Sequence, residues 1–198
     1  MSEGSESFKN ELFVVLIPDG EVLQLAKKLQ KKISDHYNIY KEGCFPQIHI
    51  TINKVDKNDK NKLLKITSNL VSTWNKPIKL SISDFDCYYL KNNNNFLVLR
   101  VEKNETLSEF ANLLQQRLLK ANINLIEDYN SWDFHITIIS NLFAKNPLNE
   151  HNFKKLCSLL NNINKPNISK ISAQINIMEI WKPVLQKEDK FMKRYYLS

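Results

Sequence analysis

The sequence predicts an α+β fold with a largely antiparallel sheet, built from two similar halves. Three observations carry this. Apolar, β-branched runs alternate with stretches of helical periodicity. Twice, consecutive strand-like runs follow one another with no helix between them, as in hairpins. The tetrapeptide HITI occurs at 49–52 and again at 135–138, at the same place in each half. With 198 residues, 42% of them hydrophobic and 25% charged, the chain can bury one substantial core and has the composition of a folded protein.

The elements follow in order. The run ELFVVLIP at 11–18 ends in Pro18-Asp19-Gly20 and reads as a buried strand and its turn. From Glu21, apolar residues fall at Val22, Leu25, Ala26, Leu29 and Ile33, the spacing of one helical face, with lysines opposite. QIHITIN at 47–53 is a strand by its β-branched content. A second helix follows Asp59, with Leu63, Ile66, Leu70 and Trp74 inward. After Pro77 comes an alternating strand. The asparagines at 92–95 form a turn, since Asn tolerates left-handed backbone angles, and lead into a strand at 95–102. The third helix, 104–122, has Asn104 as its cap and Leu107, Phe110, Ala111, Leu114 and Leu118 on one face. A strand at 134–140, a helix at 149–163 and two strands at 171–181 and 190–197 complete the chain. Each half thus carries an apolar strand, a long helix, an HITI strand, another helix and paired strands, a weak repeat of about 85 residues.

Composition excludes several classes. No apolar run reaches the roughly 18–20 residues that span a bilayer. The polar, acidic opening, residues 1–10, reads as a disordered lead-in rather than a signal or transit peptide, and 11–198 as one domain. Cys44, Cys87 and Cys157 are odd in number and far apart, with no CxxC or CxxH spacing. The expectation is free, mostly buried thiols in a reducing cytoplasm, with neither a zinc site nor any other metal or cofactor. A net charge of +7 and a pI near 9.2 favour a polyanionic partner, although Lys and Asn are abundant along the whole chain.

The repeated tetrapeptide carries the chemistry. Side chains on a strand alternate between faces, so His49 and Thr51 share one face while Ile48, Ile50 and Ile52 point into a core. His135 and Thr137 repeat this against Phe134, Ile136 and Ile138. Each copy offers an imidazole and a hydroxyl roughly 7 Å apart, a reach that suits a phosphate group. Two such strands side by side would supply a histidine to accept a proton and another to donate one, which splits a phosphodiester without a metal. A lone HxT motif means little, because a strand histidine is commonly a hydrogen-bonded structural residue. Two apolar-flanked copies among four histidines, in a chain with five threonines, arise by chance on the order of once in ten thousand such chains. His36 and His151 lack this context and read as surface residues.

Paired HxTx motifs on equivalent strands of a duplicated unit resemble the two-histidine (2H) phosphoesterase superfamily, which includes RNA 2′,3′-cyclic phosphodiesterases once called 2′–5′ RNA ligases. ELFVVLIPDGEVLQLAKKLQKKI is similar to that family's opening strand and helix, and INIMEIW to its closing strand, so the resemblance spans most of 11–197. It implies two lobes flanking a central cleft, His49 and His135 as the catalytic acid/base pair, and Thr51 and Thr137 as phosphate ligands. Beyond these four, strand parity adds Asn53 to the face of His49. Phe45 and Trp132 flank the motifs and could stack on a base. Trp181, Lys182 and Arg194, near the chain end, are weaker candidates.

The expected activity is metal-independent cleavage of 2′,3′-cyclic phosphate or 2′–5′ linkages in RNA or oligonucleotides, by a cytoplasmic protein that is a monomer by default. The alternatives are a hydrolase of a cyclic or 2′,5′-linked signalling nucleotide, and an inactive RNA-binding module of the same fold. An unrelated α+β domain with a fortuitous repeat would instead hold His49 and His135 far apart.

Overall fold

The computed structural model describes residues 10–41, 45–126, 133–163, 171–182 and 191–197. Seven strands and four α-helices follow the expected alternation: β1 (Glu11–Pro18), α1 (Gly20–Tyr37), β2 (Ile50–Asp56), α2 (Lys60–Thr73), β3 (Ile78–Tyr88), β4 (Phe96–Val101), α3 (Glu105–Lys120), β5 (His135–Ser140), α4 (Glu150–Ile163), β6 (Ser172–Trp181) and β7 (Phe191–Tyr196). Local chemistry sets the ends. The Asp19 carboxylate accepts the Gly20 N–H at 2.7 Å, and Gly20 starts α1 at φ 56°, a left-handed angle that glycine adopts without penalty. Asn104 caps α3 by accepting the Leu107 N–H at 3.0 Å. Asn92 and Asn93 turn the β3–β4 connection at φ 58° and 57°.

All strand pairings are antiparallel, in the order β2–β1–β6–β7 on one side and β5–β4–β3 on the other. The two groups meet at two seams. One is a four-residue ladder, Ile78–Ser81 with Ser172–Ile175, between β3 and β6. The other is a single pair, Ile50 with Ile136, between β2 and β5. Both isoleucines are fully buried, and one continuous core joins the two groups. Replacing either with Ala would remove about 2–5 kcal/mol, the usual cost of such a truncation.

Two further ties set the position of β5. Tyr40, buried after α1, donates its hydroxyl to the Ser140 carbonyl at 2.9 Å and accepts the Ser140 N–H at 2.6 Å. Burial pushes its phenol well above the ordinary value, and the bond to Ser140 offsets part of that. Asn141 donates to the carbonyls of Asn93 and Leu148 at 3.0 and 2.8 Å, and accepts the Leu148 N–H at 3.0 Å. Some of the asparagine content is therefore structural rather than surface bias.

The cysteines correct an expectation. Cys87 on β3 and Cys157 on α4 are joined by a disulfide, so these two are not free thiols. Seventy positions separate them, a distance along the chain that gave no hint of a pair. Cys44 lies outside the described residues. Among the described residues no helix is long and apolar enough to cross a membrane.

Candidate active site

The seam between β2 and β5 brings the two HITI copies together. Ile50 stands opposite Ile136, and the pairing is antiparallel. Continued one residue each way, this register puts His49 opposite Thr137 and Thr51 opposite His135. The isoleucines point into the core, so alternation turns all four polar side chains to the other face, where each is partly exposed. Residues directly opposite across such a pair stand about 5 Å apart, within joint reach of one phosphate.

Both imidazoles are oriented in the same way. His49 Nδ1 lies 2.7 Å from the Gln47 carbonyl oxygen, and His135 Nδ1 lies 2.9 Å from the Asp133 carbonyl oxygen. A carbonyl only accepts, so each Nδ1 carries a hydrogen, and in the neutral ring the basic lone pair is on Nε2. A neutral ring can take a proton there, and a charged ring can give one. The bond reaches back two residues in each case, so one local backbone geometry fixes the tautomer twice.

The surroundings differ. The His49 ring lies 4.6 Å from the Trp181 ring, centroid to centroid. Trp181 is 1% exposed, and its Nε1 donates to Glu179 Oε2 at 2.5 Å. Glu179 is buried too, and its Oε1 accepts from Arg194 Nε and Nη2, both at 2.6 Å. The carboxylate thus enters the interior with its charge matched and its hydrogen bonds made, which is the condition for burying it. This bond, ahead of one with Tyr196, holds the Arg194 guanidinium above its ordinary pKa.

On the other side, His135 meets the edge of Tyr88 at 5.5 Å. Arg100, directly across the ladder from His135, sits between Asp86 at 3.5 Å and Asp133 at 3.3 Å, all of them partly exposed. Burial raises the Tyr88 phenol, the charges of Asp133 and Asp86 add to that, and Arg100 opposes it. The Tyr88 hydroxyl is buried without a hydrogen-bond partner among the described residues.

The remaining expected residues fall as follows. Asn53 does not share the face of His49 in the way alternation implied. A bulge in the β1–β2 ladder, where Val14 pairs with Asn53 and Val15 with Thr51, inserts Ile52 and breaks the period. Asn53 is consequently 2% exposed, with its Oδ1 unpartnered among the described residues, and the partly exposed position passes to Lys54. Phe45 packs against the core with its ring edge-on to Tyr40 at 5.8 Å. Trp132 lies outside the described residues. Lys182 is exposed just past the end of β6. The residues that sequence reasoning missed are Glu179, Tyr88 and Arg100, and it ranked Trp181 too low. Parity could group 177, 179 and 181 on one face, but nothing local says which strand lies beside β6. Among the described residues no group of three or more His, Cys, Asp or Glu is placed to hold a metal ion.

An antiparallel α+β sheet that pairs two histidine–threonine strands defines the class of the 2H phosphoesterases, and comparison with known proteins agrees. The model of the AKAP7 2'5' RNA ligase-like domain family matches residues 12–190, and the chain belongs to that family, within the 2H superfamily. Among solved structures, TT0787 of Thermus thermophilus is similar with a TM-score of 0.62 at 12% identity, over 94% of this chain and 97% of that one. E. coli LigT complexed with 3'-AMP gives 0.53 at 11%, over 96% and 99%. Kluyveromyces marxianus Usb1 gives 0.50 at 11%, also over 96% and 99%. At these identities the likeness is one of fold. The sequence matches no curated protein.

Proposed function

We propose that this protein is a phosphodiesterase that opens 2′,3′-cyclic phosphates or cleaves 2′–5′ linkages in RNA or oligonucleotides, using His49 and His135 as the acid/base pair and no metal. The Ile50–Ile136 register is the observation that carries this reading, because it brings the two histidine–threonine strands side by side, and both imidazoles make the same Nδ1 bond to a backbone carbonyl. In the cyclic case one neutral imidazole takes a proton from water as its oxygen attacks phosphorus. The other, charged, imidazole gives its proton to the ribose oxygen whose bond to phosphorus breaks. The product is a monoester, and the two histidines have exchanged protonation states. Thr51 and Thr137 donate to the non-bridging oxygens, where negative charge accumulates. In the 2′–5′ case the neighbouring 3′-hydroxyl replaces water as the nucleophile.

The LigT structure with 3'-AMP supports a nucleotide ligand for the fold. The test is a product analysis with EDTA-treated wild type, His49→Ala and His135→Ala on 2′,3′-cyclic nucleotides, cyclic-phosphate-ended RNA, 2′–5′ oligoadenylate and ordinary 3′–5′ RNA. Turnover of the cyclic or 2′–5′ substrates, lost in both variants, is expected. Binding of RNA without turnover in the wild type would sink the reading in favour of an inactive module.

A further inference from the structure

We infer that the site-facing side of β7 is a second binding site, a stacking platform for one base of a single-stranded oligonucleotide whose phosphate lies at the histidines. This rests on the function proposed above and extends it to substrate length. Leu16 pairs with Ile50, so Ile17 is level with His49, and Ile17 pairs in turn with Ile177, and Ile177 with Tyr196. His49, Ile17, Ile177 and Tyr196 therefore form one row across four strands, on one face. Strand spacing of about 4.8 Å puts Tyr196 about 14 Å from His49. Ile17 and Ile177 between them are only partly buried and form an apolar floor.

Tyr196 is 71% exposed, so its ring adds little to the core. Its neighbour Tyr195 points the other way and bonds Thr67 on α2 at 2.9 Å. Nor does the platform hang loose. Arg194, on the same face two residues from Tyr196, is fixed by two bonds to buried Glu179. Its guanidinium also lies 5.5 Å from the ring of Phe191, which is 48% exposed. An exposed aromatic–arginine–aromatic strip, in line with a phosphate site, matches how single-stranded nucleic acids are held: bases stack on rings and cations follow the backbone.

The test is calorimetric binding of a 3′-phosphate-ended RNA tetranucleotide and of a 3′-mononucleotide to the full chain, as wild type, Tyr196→Ala and Tyr196→Phe. The expectation is that Tyr196→Ala weakens the tetranucleotide about tenfold, within the range of one lost base stack, and leaves the mononucleotide unchanged. Tyr196→Phe keeps the ring and should bind both as the wild type does. Equal affinity of the wild type for the two ligands, or an unchanged ratio in Tyr196→Ala, would overturn the inference. Binding needs no turnover, so length-dependent binding without catalysis would retire the proposed activity and leave the platform standing.

Discussion

His49 and His135 make the same backbone bond and stand in different walls. Around His49 the wall is closed: Trp181 and Glu179 are 1% and 2% exposed, and Arg194 completes a chain of short hydrogen bonds. Around His135 it is open, with a half-buried Tyr88 and an arginine shared loosely between two solvent-facing aspartates. The disulfide from β3 to α4 belongs to this second half, where the polar contacts are weaker. The two halves share what the backbone sets, namely register and tautomer. They differ in what side-chain packing sets, so the two histidines are alike in orientation and unlike in surroundings.

The largest effect should ignore that difference. His49→Ala and His135→Ala should each lower kcat/KM by about 10²–10⁴-fold, with the double variant little worse than either, because in the mechanism proposed above the two act as base and acid in one step. A variant that kept most of its activity would break the equivalence of the halves. Stability should separate them. Cys87→Ser should cost about 2–4 kcal/mol in urea denaturation, given the long loop that the bond closes. If free thiols are found by labelling the folded, unreduced protein at Cys87, that staple is absent. Glu179→Ala strands the Trp181 Nε1–H inside and should cost about 1–3 kcal/mol, whereas Asp86→Ala, in an exposed pair, should cost under about 1 kcal/mol.

Subtler tests use pH. Rate against pH should be bell-shaped, with apparent values that belong to the pair. Trp181→Phe weakens the attraction of the ring for a charged His49 and should move one limb toward acid. Tyr88→Phe should leave the profile unchanged, since the raised Tyr88 phenol stays protonated throughout. An unmoved limb in Trp181→Phe would mean that the indole only packs. Last, the buried Tyr40 phenol is raised above its ordinary value in the folded state. The folded chain then keeps a proton that the unfolded chain loses above about pH 10. Stability is whole below that pH and falls as pH rises past it, and Tyr40→Phe should remove this part of the alkaline slope in thermal melts.

Much of the fold was legible because its signals are local. Helical faces such as Leu107 to Leu118, the cap at Asn104 and the asparagine turn at 92–93 depend on residues within a turn or two of one another. The motif pair was legible by repetition, and alternation placed His49 with Thr51 correctly on a partly exposed face. Alternation failed at Asn53, where one inserted residue in a ladder shifts every later side chain, and a bulge leaves no mark in a β-branched run.

The sequence by itself determined the element order, the two histidine–threonine strands and the faces that they present, since period and composition act along the chain. Tertiary structure decided which strands became neighbours: β2 beside β5, which brings two distant motifs side by side, and β6 between β1 and β7, which brings Trp181 to His49. Strand pairing, like the union of Cys87 with Cys157, is a contact between segments far apart in sequence. It forms because one shared core must be buried at once, and that requirement belongs to the assembled chain rather than to any stretch of it.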